Sequence, residues 1–317
     1  MQVIPLSQHS LHDYVEVVGE DARSFLQGQL TCNVDLLSNE RSLVGALCNL
    51  KGRVIADFRL LQLDTQKIIL QTSAGSGEKI IATLQRYAVF SKVALSAAAG
   101  PKALFGLISP SAEAAAASLA ECFPDLPAAE NAVLHHQDFS LVRVPGGSPC
   151  YQIWCHTEAA VNTLSRLDVM EETAMLSAWS RAEIIAGIVH VQGAMSEEYT
   201  PQLLNYDISG FIDFDKGCYT GQEVVARMFY RGKAKKRMYL LETAELLTIE
   251  SRLTLANTGE EVGAELLAVA SATDSSEKSL ALAIVSTELA AQQAELSVSG
   301  SDVSVNFAAL PYAREDA

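Results

Sequence analysis

Alternating apolar and polar residues at 14–18 predict a strand, and several further strand-like segments follow within the first hundred residues. Two long apolar segments flank a turn at Lys51-Gly52, and apolar positions three and four residues apart predict two helices between the strands. This order of elements is typical of an α+β protein rather than of strict strand–helix alternation. The predicted strands are 14–18, 42–48, 54–63, 67–72 and 89–95, and the predicted helices are 22–30 and 78–87.

After a break of small residues at 97–101, the pattern changes twice. An alanine-rich segment and two later segments have helical periodicity, with two short strands between them. From residue 238 onwards, short alternating strands recur between polar turns, which predicts a small, separate C-terminal β-barrel. The predicted helices are 111–122, 158–164 and 170–187, and the predicted strands are 142–144, 151–155, 238–241, 252–255, 266–270, 280–284 and 303–307.

Composition narrows the function classes. The 317 residues carry 23 Lys+Arg against 38 Asp+Glu, a net charge of −15, which argues against a general nucleic-acid coat or a protein that binds anionic membranes. No apolar segment is long enough to span a bilayer, and the first residues do not resemble a secretory signal, so we expect a cytoplasmic protein with no membrane partner.

The cysteines and histidines suggest no metal site. The six cysteines are scattered and form no CxxC pair, which favours neither a disulfide framework nor a zinc or cluster site. The six histidines lack metal-ligand spacing, and we interpret them as structural or surface residues.

One segment differs from the acidic remainder. Residues 216–237 contain seven basic side chains and one acid, Glu223, which suits a single anionic ligand, a local RNA contact or simply a solvated face balanced by nearby carboxylates. Thr220 and Glu223 have the spacing of a capping box, which predicts a helix that begins near Gly221. Cys218 would then lie just before a helix N-terminus and near Lys216. Both features favour a reactive thiolate, although a packed thiol in a tight loop fits the same pattern.

The eight residues 216–223, Lys-Gly-Cys-Tyr-Thr-Gly-Gln-Glu, resemble the signature of the YgfZ-type folate-binding proteins, which are relatives of the glycine-cleavage T-protein, an aminomethyltransferase. Other matching segments follow in the same order along nearly the whole chain. They are Phe25-Leu-Gln-Gly-Gln-Leu-Thr31, Lys51-Gly-Arg53 with Asp57, 179–187, Tyr199-Thr-Pro-Gln-Leu-Leu-Asn205 and Leu310-Pro-Tyr312.

This resemblance implies a ring of two α+β domains around a central folate pocket, followed by the β-barrel. The implied folate-binding domain comprises 1–49 and 142–235, the second α+β domain 50–141, and the barrel 236–317. The implied cofactor is tetrahydrofolate or a derivative, with no metal. The implied cofactor-binding residues are Trp179, Tyr14, Lys216, Gly217, Tyr219, Gln222, Glu223 and Arg227.

The resemblance also implies chemistry. Asp57 matches the aspartate that assists one-carbon transfer in the T-protein, and Cys218 is implied to act as a redox-sensitive or cluster-contacting thiol. Many relatives carry a glutamate where this chain has Ile185, and Glu183 would compensate from the adjacent turn.

Three functional hypotheses follow. The leading one is a tetrahydrofolate-binding accessory protein whose partners are iron–sulphur client enzymes and, indirectly, tRNA through its modification by thiolation. The second is a folate-dependent one-carbon transferase that uses Asp57. The third is RNA recognition by the basic run from Arg231 to Arg237.

Overall fold

The computed structural model describes residues 2–6, 11–120, 122–123, 125–166, 172–272 and 278–312, with residue 2 and residues 172–176 described in backbone only. Elements are numbered in chain order. The strands are β1 (Gln2–Pro5), β2 (His12–Val18), β3 (Leu43–Cys48), β4 (Val54–Asp64), β5 (Lys67–Ser73), β6 (Ala94–Ala98), β7 (Ala103–Ile108), β8 (Val133–His135), β9 (Phe139–Val144), β10 (Cys150–Cys155), β11 (Lys236–Thr243), β12 (Leu253–Leu255), β13 (Glu265–Ala270), β14 (Ser279–Ser286), β15 (Leu296–Val298) and β16 (Ser304–Ala308). The helices are α1 (Ala22–Gln27), α2 (Gly77–Gln85), α3 (Ala112–Leu119), α4 (Glu158–Leu164), α5 (Glu172–Ile185), α6 (Gln222–Arg231) and α7 (Thr287–Ala291).

The strands form three sheets, in which every pair of neighbouring strands runs antiparallel. Sheet I has the order β1-β7-β10-β9-β8, and sheet II has the order β3-β4-β5-β2-β6. Sheet III, with the order β12-β15-β16-β11-β14-β13, contains all the C-terminal strands. The predicted α+β class is therefore confirmed, and the sheets are antiparallel.

Sheets I and II each carry helices on their outer face. Successive side chains of a strand point to opposite faces, so Phe58 and Leu60 of β4 pack outwards against α1 and α2. On sheet I, Phe105 of β7 and Ile153 of β10 pack outwards against α3 and α4 in the same way. Burial of these apolar faces is the main force that holds each helix on its sheet.

The two inner faces meet each other. Leu104 and Trp154 of sheet I share one core cluster with Leu61 and Ile69 of sheet II. Trp179 of α5 enters the same cluster, and α5 contacts strands of both sheet I and sheet III. Helix α5 therefore brings the C-terminal sheet against the space between the two inner faces.

The predicted elements differ from the structure mainly around residue 100. The predicted strand 89–95 is wrong, because residues 88–90 form a 3₁₀ turn and the strand that pairs with β2 is Ala94–Ala98. That strand also occupies the first residues of the predicted break at 97–101. Strand β7 was not predicted, since its residues are apolar throughout and show no alternation. The helix predicted over 170–187 is confirmed as Glu172–Ile185, and residues 170 and 171 lie outside the described ranges.

Two of the predicted domain boundaries do not coincide with the limits of the sheets. The boundary between residues 49 and 50 separates β3 from β4, although these strands pair from Leu43 to Cys48 within sheet II. The boundary between residues 141 and 142 falls inside β9. The C-terminal division at residue 236 coincides with the first residue of β11, and the edge strands of sheet III, β12 and β13, do not pair with each other in the described part of the chain.

Candidate functional site

A pocket lies where the inner faces of sheets I and II separate, beside helix α5. It contains about 670 Å³ of space between protein atoms, part of which is open to solvent. Five separate segments of the chain contribute polar side chains to the pocket. The side chains are His12 from β2, Asp57 and Arg59 from β4, Gln71 from β5, Gln152 from β10, and Glu183 and His190 from α5 and the residues that follow it.

Strand register explains why these polar groups share one face. Gln71 is the direct partner of both Arg59 on β4 and Tyr14 on β2, so all three side chains project from the inner face of sheet II. Asp57 lies two residues before Arg59 and shares that face. The alternating residues Phe58 and Leu60 supply the outer apolar core. Asp57 and Arg59, two residues apart in an otherwise apolar part of β4, are the signal in the sequence that could have identified this polar face.

Asp57 lies at the base of the pocket, and its side chain is only 2% exposed. Its Oδ1 accepts a hydrogen bond from the backbone N–H of Val191 at 2.7 Å, and its Oδ2 accepts one from His190 Nδ1 at 2.6 Å. A buried carboxylate requires such partners. Both Asp57 oxygens are thus engaged by the segment that follows α5, and His190, with 39% of its side chain exposed, lies between Asp57 and the open pocket.

A second carboxylate faces the same imidazole. Glu183 Oε1 accepts a hydrogen bond from Trp179 Nε1 at 2.8 Å and lies 3.4 Å from His190 Nε2. Burial by itself lowers the pKa of His190. However, the charge of Asp57 and the hydrogen bonds to Asp57 and Glu183 outweigh it and hold that pKa well above its ordinary value. In contrast, burial lowers the pKa of His12 to about 4, so His12 is neutral at pH 7.

Trp179 forms one apolar wall of the pocket. Its ring packs directly on the backbone of Gly106 in β7, where a Cβ atom would lie only 2.5 Å from Trp179 Cε3. Glycine at this position therefore allows the indole to reach the inner face of sheet I. The proposed compensation by Glu183 fits this geometry, because Glu183 extends into the pocket while Ile185 belongs to a separate apolar cluster.

Two buried amide groups in the pocket have no hydrogen-bond partner in the described part of the chain. They are Nε2 of Gln71, a donor, and Oε1 of Gln152, an acceptor, and both residues are more than nine-tenths buried. An unpaired buried polar group is destabilising by about 1–3 kcal/mol. Arg59 differs, since its guanidinium already donates to Ser42 and Asn131. Gln71 nevertheless lies within hydrogen-bond reach of the Tyr14 phenol, so the acceptor of Gln152 is the polar group that the pocket leaves unpaired for a ligand.

Tyr14 lies on the inner face of sheet II but does not line this pocket. Its ring packs edge-on against Trp154, with ring centroids 5.3 Å apart, and borders a neighbouring cavity near residues 97–102. Burial raises the pKa of Tyr14 well above its ordinary value. In this structure Tyr14 supports the aromatic packing beside the site rather than the site itself.

The signature loop lies elsewhere, at the end of helix α1. Lys216 is buried, and its Nζ donates to the backbone carbonyls of Gln27, Leu30 and Cys32 at 2.7, 2.6 and 2.8 Å. Burial lowers the pKa of Lys216 to about 8. The ring of Tyr219 is also buried and lies 5.2 Å below the same ammonium group. These two side chains fix the loop to the body of the protein.

The predicted capping box is wrong. Helix α6 begins at Gln222 after Gly221, which has a φ of +82° and lacks a side-chain cap. Thr220 Oγ1 instead donates to Gln29 Oε1 at 2.8 Å. Gly221 packs so closely on the β3–β4 turn that a Cβ atom would lie 2.4 Å from the Asn49 carbonyl oxygen. This close approach requires glycine and leaves Thr220 unable to cap the helix.

Cys218 is exposed between the two buried side chains of the loop. Gly217, Glu223 and Arg227 are also exposed, and Gln222 is half-buried. None of these residues lines the pocket beside Trp179. The structure therefore separates the predicted site residues into two places: a pocket that contains Asp57 and Trp179, and a surface loop that contains Cys218.

Some of the basic side chains between Arg231 and Arg237 are engaged in contacts within the protein. Arg237 forms a bidentate pair with Asp207, at 2.9 and 2.7 Å, and Lys236 donates to the carbonyl of Gly263. Arg231, Lys233 and Lys235 are exposed. The surface available to an RNA is therefore smaller than the sequence indicated.

From the sequence we interpret all the histidines as structural or surface residues, but their surroundings in the structure differ. His12 and His190 line the pocket, whereas His135 and His156 both bond to the hydroxyl of Ser140. His9 lies outside the described residues. Nothing in the local sequence around His190 identifies its role, because its partners come from β4 and α5.

Comparison with known proteins places the chain in a family. Residues 6–146 match the family described as the GCVT N-terminal domain. A protein of Colwellia psychrerythraea named tRNA-modifying protein YgfZ is 33% identical over 229 residues, which is 72% of this chain and 68% of the relative. The protein of the same name from Photorhabdus laumondii is 32% identical over 75% of this chain and 71% of its own. The chain belongs to the YgfZ family.

A solved structure shows the same fold. The glycine cleavage system aminomethyltransferase T from Bartonella henselae superposes with a TM-score of 0.75 over 98% of this chain and 86% of its own, at 18% identity. This YgfZ-family chain therefore has the T-protein fold. No described helix combines the length and apolar character that a membrane crossing requires. The described residues also bring together no group of three His, Cys, Asp or Glu side chains that would hold a metal ion.

The anchoring of the signature loop is testable with Lys216→Met. Removal of the ammonium leaves three buried carbonyls without a donor, so we expect a loss of about 2–4 kcal/mol in the free energy of unfolding, measured by urea denaturation. The matched control is Lys233→Met at an exposed position, which we expect to change stability by less than about 0.5 kcal/mol. Equal effects of the two substitutions would contradict the anchoring role.

The exposure of Cys218 predicts selective thiol labelling. Burial raises the pKa of Cys32, Cys48 and Cys155 to about 12, so these thiols stay protonated at pH 8 and react slowly. A disulfide reagent should therefore modify one thiol per native chain in the fast phase, and Cys218→Ser should abolish that phase. Cys122→Ser, at a half-buried thiol, is the control that should retain it. A fast phase that survives in Cys218→Ser would refute this assignment.

Proposed function

We propose that this protein is a tetrahydrofolate-binding accessory protein that supports iron–sulphur enzymes and tRNA modification in the cytoplasm. The names of its YgfZ relatives support a connection with tRNA modification, and its T-protein fold supports a folate-type ligand. In this proposal the two α+β domains, which carry sheets I and II, form a ring around the pocket beside Trp179, and the C-terminal barrel follows them.

The single observation that carries the folate proposal is the unpartnered acceptor of Gln152 in a pocket walled by Trp179. A reduced pteridine has a flat ring system with hydrogen-bond donors and acceptors along its edge. Gln152 Oε1 supplies a complementary acceptor, and Trp179 supplies an apolar wall. The residues present therefore fit the group.

Within this proposal each side chain has a defined task. Trp179 contacts the ring system, Gln71 and Gln152 orient its edge, and Glu183 holds the indole in place through the 2.8 Å hydrogen bond. Tetrahydrofolate itself supplies a carrier for one-carbon units. The loop residues Lys216, Gly217, Tyr219, Gln222, Glu223 and Arg227 hold or surround Cys218 rather than the pteridine.

The position of Cys218 favours an accessory role over turnover inside the pocket. Its thiol is exposed, where another protein can reach it, and we assign to it the contact with iron–sulphur clients. The alternative, a one-carbon transferase, requires Asp57 to act on the ligand. Both Asp57 oxygens are already engaged by His190 and Val191, which disfavours direct contact.

Titration of tryptophan fluorescence with tetrahydrofolate tests the folate proposal. The chain has two tryptophans, of which Trp179 lines the pocket and Trp154 is buried behind it. We expect quenching that Trp154→Phe retains and Trp179→Phe abolishes. Gln152→Leu removes the unpaired acceptor and should weaken binding about tenfold, the effect of roughly one hydrogen bond.

Cys218→Ser is the control for this titration, because Cys218 lies outside the pocket and its substitution should leave the affinity unchanged. The proposal fails if the wild-type protein shows no quenching. It also fails if Trp179→Phe and Gln152→Leu bind tetrahydrofolate as the wild type does.

A further inference from the structure

The aspartate that the T-protein resemblance assigns to chemistry is not the group that faces the pocket. Asp57 is 2% exposed, and each of its two oxygens already accepts a hydrogen bond from the segment after α5. A ligand that reached Asp57 would first have to displace His190. The imidazole is 39% exposed and lies directly on the pocket wall.

We propose that His190 is the residue that donates a hydrogen bond to the pocket's ligand, and that Asp57 is a positioning residue that acts through it. The ligand class is a heterocyclic amide whose ring carbonyl or ring nitrogen accepts the bond. The identity of that ligand as a folate rests on the proposed function.

The two ring nitrogens of His190 have different environments, which fixes their roles. Nδ1 lies 2.6 Å from Asp57 Oδ2 and is held by that strong contact. Nε2 lies 3.4 Å from Glu183 Oε1, a long and weak contact. The same Glu183 oxygen already accepts a hydrogen bond from Trp179 at 2.8 Å. A ligand acceptor can therefore replace Glu183 at Nε2 without leaving the carboxylate unpaired.

The charged and titratable groups around His190 come from three elements and from the loop that carries Tyr206. Asp57 and Arg59 project from β4, Glu183 from α5 and His12 from β2, while the phenol of Tyr206 lies near Asp57. The two carboxylates flank the imidazole directly, and Arg59 is held by Ser42 and Asn131. Since the two carboxylates hold the pKa of His190 well above its usual value, the ring is an imidazolium at neutral pH with both nitrogens as donors.

Loss of that proton weakens the proposed contact. A raised pKa means that the folded protein retains the proton at neutral pH and releases it only as the pH rises through the folded pKa. The affinity for a ligand acceptor should therefore be constant through neutral pH and should fall only as the pH rises through the folded pKa of His190. The stabilisation that His190 gives the fold is lost over the same rise in pH.

Two substitutions separate ligand contact from support of Asp57. In His190→Asn the amide nitrogen occupies the Nδ1 position and keeps the contact with Asp57, while the Nε2 donor is lost. In His190→Gln the amide nitrogen reaches the Nε2 position as a neutral donor. With 5-formyltetrahydrofolate as the probe, we expect about tenfold weaker binding for His190→Asn, the effect of one lost charge-assisted bond. His190→Gln should bind the probe with an affinity between those of the wild type and His190→Asn, and this affinity should not change with pH.

Imidazole ¹⁵N NMR of the ligand-free and ligand-bound protein gives a readout other than affinity. We expect both His190 nitrogens to be protonated at pH 7, and the Nε2 resonance to shift when the probe is added. Asp57→Asn should lower the pH at which His190 loses its proton. His136→Asn, at an exposed histidine outside the pocket, is the matched control for affinity and pH profile.

The outcomes are distinguishable. If His190→Asn binds the probe with wild-type affinity and pH dependence, or if His190 is neutral at pH 7, the assignment of His190 is overturned while folate binding stands. A wild-type protein that binds no folate at any pH would overturn both the proposed function and this inference.

Discussion

The site depends on one buried carboxylate. Asp57 lies on the inner face of a sheet where water is excluded, and an unpaired charge there would be strongly destabilising. Its two partners come from the segment that follows helix α5, at residues 190 and 191. This requirement brings His190 to the pocket and joins α5 to β4. His190 in turn contacts Glu183, and Glu183 holds the ring of Trp179.

The family signature and the pocket are separate places joined by one hairpin. Lys216 and Tyr219 bury the ends of the signature loop and leave Cys218 at the surface. Gly221 packs on the turn between β3 and β4, and β4 continues from that turn to Asp57. The strand that carries Asp57 therefore begins at the turn that packs against the signature loop.

The helices and strands could be predicted from the sequence more completely than the pocket could. Strands with a clear alternation, such as β2, were predicted within a residue or two, whereas β7 was missed because its residues are apolar throughout. Asp57, Trp179 and Glu183 came from the family resemblance. His190, Gln71 and Gln152 were missed, since they meet only when three distant segments pack together. The capping box failed because the close approach of Gly221 to Asn49 outweighed a local hydrogen-bond pattern.

A crystal structure of the protein with bound tetrahydrofolate tests the central claim most directly. The account predicts the pteridine against Trp179, within hydrogen-bond distance of Gln71 Nε2, Gln152 Oε1 and His190 Nε2. A pteridine bound at the Cys218 loop, or anywhere outside the space between the two inner sheets, would contradict it.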